Sequence, residues 1–281
     1  MKRTVLITGA STGIGQACAL HLQQNGFQVF AGVRKERDAL ALREQAPEDI
    51  VPIHLDVTVQ DDITAAFHRV EEATGGRGLD GLVNNAGIAI GGALEFLPVE
   101  ELRRQFDVNV IGPVAVVQTF LPLIRKATGR VVLMGAGISG VISPGGLGPY
   151  SASKFALEAL SDSLRRELAP WGIHVALIRP GRIKTPIWDK SFEAAEQQLA
   201  GYPTAGLDLY ASRSEPLFKT LARAKTEGGS VDDVARVVGH ALTAEHPRSR
   251  YTVGLDARVA SLVARILPDS ILDALLRRFL S

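Results

Sequence analysis

Tyr150 and Lys154 lie four residues apart in Pro149-Tyr150-Ser151-Ala152-Ser153-Lys154-Phe155, at the head of a helical pattern. That spacing puts a phenol and an ammonium on one helix face. A free phenol titrates near ~10 and exchanges protons sluggishly at neutral pH, whereas an adjacent cation favours the phenolate, as a general acid/base requires. A partner for this pair is found upstream. Thr4-Val5-Leu6-Ile7-Thr8 is a β-branched, apolar run that leads into Gly9-Ala10-Ser11-Thr12-Gly13-Ile14-Gly15 and then a helical stretch. In a strand, glycine turn and helix, the backbone can approach a pyrophosphate, and the helix N-terminus offers it free N–H groups and a positive dipole end. Gly9, Ser11, Thr12, Gly13, Ile14 and Gly15 are therefore candidate cofactor contacts, although their spacing differs from Gly-x-Gly-x-x-Gly.

A third element, Leu82-Val83-Asn84-Asn85-Ala86-Gly87, reads as a buried strand ending in two amides and a glycine. Taken in order with Thr8, Gly9, Gly13, Gly15, Asn109, Tyr150-x-x-x-Lys154 and Pro180-Gly181 with Thr185, it resembles the short-chain dehydrogenase/reductase family over about residues 3–190. The resemblance implies that Tyr150 is the general acid/base. It implies that Lys154 lowers the tyrosine pKa and holds the nicotinamide ribose, and that Asn109 supports a proton-relay water. Asn85, Ala86, Gly87, Pro180, Gly181 and Thr185 join the cofactor site on the same ground. The family also places a serine thirteen residues before the tyrosine to polarise the substrate oxygen. Here Gly135-Ala136-Gly137-Ile138-Ser139-Gly140 puts Gly137 there. Ser139 is the nearest hydroxyl and the candidate replacement, with Ser143 next. If the loop keeps the family geometry, Gly137→Ser should raise activity.

Strand patterns at 4–8, 28–33, 51–55, 82–84, 130–134, 174–179 and 251–253 alternate with helical ones. Such alternation predicts an α/β Rossmann-type fold, a doubly wound parallel sheet with helices on both faces and ligands outside the carboxyl ends of the strands. We read residues 1–281 as a single domain, with 185–230 as a loop-rich substrate lid and 255–281 as a C-terminal helical extension. At the end of the second strand an acidic residue would bind the ribose 2′-hydroxyl of NAD. Val33 holds that place, and Arg34, with Lys35 or Arg37, can accept a 2′-phosphate, so NADP is favoured over NAD. The bland alternative makes Arg34 and Lys35 solvated loop charges. Asp56 resembles the family's adenine-contacting aspartate.

Lys plus Arg number 31 against 30 for Asp plus Glu, which gives no basic excess for nucleic acid. The one cysteine, Cys18, excludes an intrachain disulfide, and the six histidines lack metal-ligand spacing, so no metal is expected. Lys2-Arg3 and the short run after it do not make a secretory signal. The most apolar window, 108–123, is punctuated by Gly112, Pro113 and Pro122 and is read as a buried helix too short to span a bilayer. A cytoplasmic, homo-oligomeric protein follows as the expectation.

The substrate class comes from the resemblance to the retinol and hydroxysteroid dehydrogenase branch, carried by Phe155-Ala156-Leu157-Glu158, Thr185-Pro186-Ile187-Trp188 and the C-terminal third. It implies a small hydrophobic alcohol or carbonyl. Ile187, Trp188, Phe192, Leu199, Tyr202 and Phe218 can line an apolar pocket or fill a core. Ile271, Leu272, Leu275, Leu276 and Phe279 form a helical stripe beside Arg277 and Arg278. Packing on the body, on another subunit or as a pocket wall is favoured for it over peripheral membrane contact. Because Gly137 replaces the serine, two other readings stay open beside the oxidoreductase: a nucleotide-binding regulatory protein without turnover, and an apolar-ligand carrier.

Overall fold

The computed structural model describes residues 2–45, 49–204, 206–210, 218, 222 and 226–280, with backbone alone for Lys190 and for 278–280. Seven strands form one parallel sheet: β1 (Arg3–Ile7), β2 (Phe27–Val33), β3 (Ile50–His54), β4 (Gly81–Asn84), β5 (Arg130–Met134), β6 (His174–Pro180) and β7 (Arg250–Val253). Their order is β3-β2-β1-β4-β5-β6-β7. All seven strands expected from sequence are present, and the doubly wound fold with them. The central strands are buried on both faces, as parallel strands under helices must be. In β1, Val5 and Ile7 enter one core with α1 (Gly13–Gln24), α2 (Glu36–Gln45) and α8 (Val231–Thr243). Leu6, between them, enters the other with α3 (Gln60–Ala73) and α5 (Gly112–Ala127). Strand order reverses between β1 and β4, so their C-terminal ends leave a crevice between diverging connections.

Helix α4 (Val99–Phe106) runs through a π-helical turn, Asp107–Ile111, into α5. Gly112 and Pro113 sit where the π-helical turn passes into α5. A β-carbon at Gly112 would stand 2.9 Å from the Val57 carbonyl oxygen, so the close approach requires glycine. The punctuation therefore does not divide the segment. Val99–Ala127 is a helical run of 29 residues, long and apolar enough to cross a membrane, and this corrects the expectation that it falls short. Val116, Val117, Phe120, Leu123 and Ile124 bury one of its faces against the sheet, as expected of a helix of the sandwich.

Helix α6 (Gly148–Leu168) carries Tyr150 and Lys154, and α7 (Ile187–Ala200) opens the expected lid. Parts of 185–230, Pro216 among them, lie outside the described residues. After β7 come α9 (Leu255–Ile266) and α10 (Asp269–Leu280). Leu255, Val259, Leu262 and Ile266 form an exposed row along α9. On α10, Ile271 is exposed while Leu272, Leu275 and Leu276 are half-buried, and the Phe279 side chain lies outside the described residues.

Candidate active site

A cleft of about 410 Å³ opens over the carboxyl ends of the strands. Its walls include Gly9, Ser11, Thr12, Gly13, Ile14, Arg34, Asp56, Asn85, Ala86 and Gly87. Ser139, Tyr150, Lys154, Pro180, Gly181 and Thr185 line it too, so nearly every residue singled out in the sequence meets here. Gly15 and Asn109 do not face the cleft. They stand behind its wall.

Gly15 is there because nothing larger fits, since a β-carbon on it would lie 2.2 Å from the Gly9 carbonyl oxygen. Gly9 and Gly13 have φ of 64° and 59°, the left-handed region that favours glycine. The Thr8 hydroxyl accepts from the backbone N–H groups of Asn85 and Ala86, each at 3.0 Å, and the Asn85 amide donates to the Gly9 carbonyl at 3.0 Å. These bonds pin the tip of β1 to the tip of β4. Thr12, at the N-cap of α1, makes no side-chain capping bond, so the first turn keeps free N–H groups facing a concave glycine cradle. That donor set fits the pyrophosphate of a dinucleotide.

At the end of β2, Arg34 is 62% exposed and its Nη1 stands 3.6 Å from the Asp56 carboxylate. Burial pushes the Asp56 carboxyl up, but hydrogen bonds from the Thr58 N–H and hydroxyl and the Arg34 charge outweigh it and hold it below its usual value. Arg34 is thus oriented over the cleft rather than lost in solvent. Its guanidinium lines the cleft beside Asp56.

Tyr150 is 9% exposed and packs against Ala89, Ala136 and Ile187. Lys154 is 5% exposed, donates from Nζ to the Met134 carbonyl at 2.7 Å, and stands 5.6 Å from the centre of the tyrosine ring. Burial pushes the phenol up to about 12 and the ammonium down to about 8. The expected lowering of the tyrosine by Lys154 is therefore outweighed in this structure by desolvation of both groups. A phenol in this state holds its proton at neutral pH.

Asn109 lies in the π-helical turn, a common device at functional sites. Its Oδ1 accepts from the Ile88 N–H at 2.9 Å, and its Nδ2 donates to the Ile88 carbonyl at 2.9 Å and to Ser153 Oγ at 3.1 Å. Ser153 in turn donates to the Tyr150 carbonyl at 2.7 Å. Gln105, fully buried, holds the Ile90 N–H and the Ile88 carbonyl. Sequence reasoning missed both. Ser153 stood inside the quoted motif, but Gln105 sits among Arg103, Arg104 and Asp107 with no signal to separate it from a solvated face.

Past β5, Gly137 donates to the Pro180 carbonyl at 2.7 Å, and a β-carbon on it would lie 2.3 Å from Ala257 Cβ. Position 137 thus faces α9 rather than the cleft. A serine there would gain no access to substrate, and the expected rise in activity of Gly137→Ser is withdrawn. Ala136 is the loop residue that packs on Tyr150, and Ser139 lines the cleft with no hydrogen-bond partner for its hydroxyl among the described residues. Ser143 is exposed and outside it. Asp256, also unforeseen, accepts from the Arg182 N–H at 2.8 Å and fills the space that a β-carbon on Gly181 would need.

Of the expected apolar pocket residues, Ile187 and Trp188 line the cleft, and Phe192 packs behind them with Leu147 and Phe218. Tyr202 is placed elsewhere: its hydroxyl accepts from the Ala93 N–H at 2.8 Å and its ring meets Phe96. It docks the turn after α7 on the loop after β4. Among the described residues no group of His, Cys, Asp and Glu is arranged to hold a metal.

The family model described as short chain dehydrogenase matches residues 3–196. Retinol dehydrogenase 5 of Mus musculus is 36% identical over 97% of this chain and 87% of that protein. An NADPH-dependent 3-dehydrocapnine reductase of Ornithobacterium rhinotracheale is 36% identical over 96% of this chain and 95% of its own. A solved short-chain dehydrogenase from Streptomyces avermitilis superposes with a TM-score of 0.80 at 30% identity, covering 99% and 96% of the two chains. The expectation of a plainly cytoplasmic protein does not survive these findings. The chain is similar throughout to an enzyme named for an apolar substrate, and it holds a helix long and apolar enough to cross a membrane.

Proposed function

From a chain that belongs to the short-chain dehydrogenase/reductase family, in the branch that holds the retinol dehydrogenases, we propose an oxidoreductase that interconverts a hydrophobic alcohol and its carbonyl, with NADP favoured over NAD. The observation that carries this reading is the burial of Tyr150 beside Lys154 where the two halves of one cleft meet. One half is the glycine cradle with its free N–H groups, and the other is apolar, with Ile88, Ile90, Leu147, Ile187 and Trp188.

A nicotinamide dinucleotide supplies the hydride acceptor or donor when bound. The glycine turn and the first turn of α1 bind its phosphates, and Arg34 distinguishes the 2′-phosphate. Lys154, anchored on the Met134 carbonyl, presents its remaining N–H groups to the ribose side of the cleft. Tyr150 holds the proton that a carbonyl oxygen takes up on reduction, or receives the one an alcohol gives up on oxidation. Asn109 and Ser153 fix the backbone beneath Tyr150, and Ser139 offers a hydroxyl to the reacting oxygen. Helix α7 with Trp188 closes over the apolar half and excludes water.

The exposed row on α9 supports self-association or peripheral lipid contact, which belong to this same reading. Its test is Tyr150→Phe, which removes the proton donor and leaves the phosphate contacts. Turnover should fall by about 100-fold or more with cofactor affinity unchanged. Retention of more than roughly a tenth of the activity would sink the assignment.

A further inference from the structure

Helix α6 carries an acid on each of the two turns that follow its reactive pair. Tyr150, Lys154, Glu158 and Asp162 recur every fourth residue and so share one face. Glu158 grips Arg179 of β6 through both carboxylate oxygens, with Nε–Oε1 and Nη2–Oε2 each 2.5 Å, and their side chains are only 14% and 16% exposed. Arg250 of β7 donates to Glu158 at 3.0 Å and to Asp162 at 3.0 Å. A bidentate guanidinium–carboxylate pair is directional as well as strong. It fixes both the height and the rotation of α6 on the sheet.

Arg179 is also the residue before Pro180, whose carbonyl accepts from Gly137 N–H at 2.7 Å, while the Ile178 carbonyl accepts from Gly135 N–H at 2.8 Å. One strand end thus carries the helix on its side chain and the 135–139 loop on its backbone. Lys154 holds α6 to the end of β5 and Glu158 holds it to the end of β6.

We propose that Glu158 is a positioning residue that, through Arg179, sets Tyr150 in register with the loop bearing Ser139. The proposal rests on the reading of Tyr150 as proton donor for its catalytic consequence, but not for its structural one. Displacing Tyr150 by a fraction of an ångström should lower kcat and leave binding of the cofactor, which the distant glycine turn dominates, nearly intact.

Two variants decide it. Glu158→Gln breaks the bidentate pair. The double variant Glu158→Leu with Arg179→Leu replaces it by apolar contact, an exchange that often preserves stability. Melting temperature, kcat, KM, NADPH affinity, and amide exchange over residues 134–142 are measured on each. Glu158→Asp serves as the conservative rescue. The expected result is a kcat lowered about tenfold or more in the first two, NADPH affinity within about twofold, and faster exchange at 134–142, with Glu158→Asp partly restoring kcat and exchange. Faster exchange and lost turnover should persist in the double variant even with the melting temperature recovered. A double variant with wild-type exchange, or with recovered stability and wild-type kcat, overturns the proposal. Failure of the Tyr150 assignment would show instead as activity in Tyr150→Phe, and it leaves the exchange measurement standing.

Discussion

A β-carbon on Gly137 would stand 2.3 Å from the β-carbon of Ala257, with the carbonyl oxygens of Arg179 and Pro180 each 3.0 Å away. The turn that leaves β5 and the first turn of α9 are therefore in backbone-to-methyl contact, and the position that resembles the family's serine is closed by the C-terminal extension. Gly137→Ser should cost about 1–3 kcal/mol as an overpacked contact and should not raise turnover. Combining it with Ala257→Gly should recover about half or more of the lost stability. Chemical denaturation of the two variants checks this, and a stable, more active Gly137→Ser protein would contradict the packing.

Ser139 lines the cleft with no partner for its hydroxyl among the described residues, in a loop where Gly137 is turned away. Losing a preorganised donor at a centre of developing charge costs on the order of 3–4 kcal/mol. Ser139→Ala should then lower kcat by about a hundredfold or more with little change in melting temperature. An unchanged kcat would leave Tyr150 as the only side-chain donor to the reacting oxygen.

The strand pattern and the Tyr150–Lys154 pair were legible in the sequence because each is written in local periodicity. A parallel strand needs a run of apolar residues, and the i, i+4 pair needs only a helix. The glycine turn was legible because φ above zero and close approach both demand glycine, as Gly9 and Gly13 show. Long-range packing was not legible. Nothing near Gly137 announces Ala257, nothing near Glu158 announces Arg179, and Gln105 looks like a surface residue until the loop it satisfies is in place. The two pKa shifts of the reactive pair also escaped, because spacing shows the neighbour but not the depth of burial.

Arg34 lies at the tip of β2 with its head over the cleft, 3.6 Å from Asp56, and no acid occupies Val33. NADPH should bind more tightly than NADH by about 1–2 kcal/mol, the lower part of the range for charge-assisted bonds because Arg34 is largely exposed. Val33→Asp with Arg34→Ala should reverse the order. Fluorescence titration with both cofactors gives the ratio directly, and equal affinities in the unaltered protein would remove Arg34 from the site.

Lys154 is a cation held in a buried place, and its stability effect has an unusual sign. Burial lowers its pKa from 10.5 to about 8, so between those values the unfolded chain binds a proton that the folded chain does not. Stability contributed by this residue therefore rises with pH across about 8 to 10.5, and below about pH 8 the full cost of burying the charge is present. That cost is on the order of 3 kcal/mol, offset in part by the hydrogen bond to the Met134 carbonyl. Tyr150 acts in the opposite direction and later. Its pKa is raised to about 12, so the unfolded chain loses that proton first and stability falls above about pH 10. Measurements between pH 6.5 and 9.5 stay below the tyrosine, and the buried Cys18 thiol, pushed from 9.0 up to about 12 and so acting against the lysine in the same window, cancels in the comparison with Lys154→Met. Lys154→Met should be at least as stable as the unaltered protein near pH 7, and the difference between them should shrink as pH rises through 8 toward 9.5. Cofactor affinity should show the functional side of the same titration, falling in the unaltered protein as the ammonium is lost above about pH 8 and staying low and flat in Lys154→Met. A variant much less stable at pH 7, with no convergence at higher pH, would mean that the ammonium stabilises the fold by its own contacts and is not a charge held there for the cofactor.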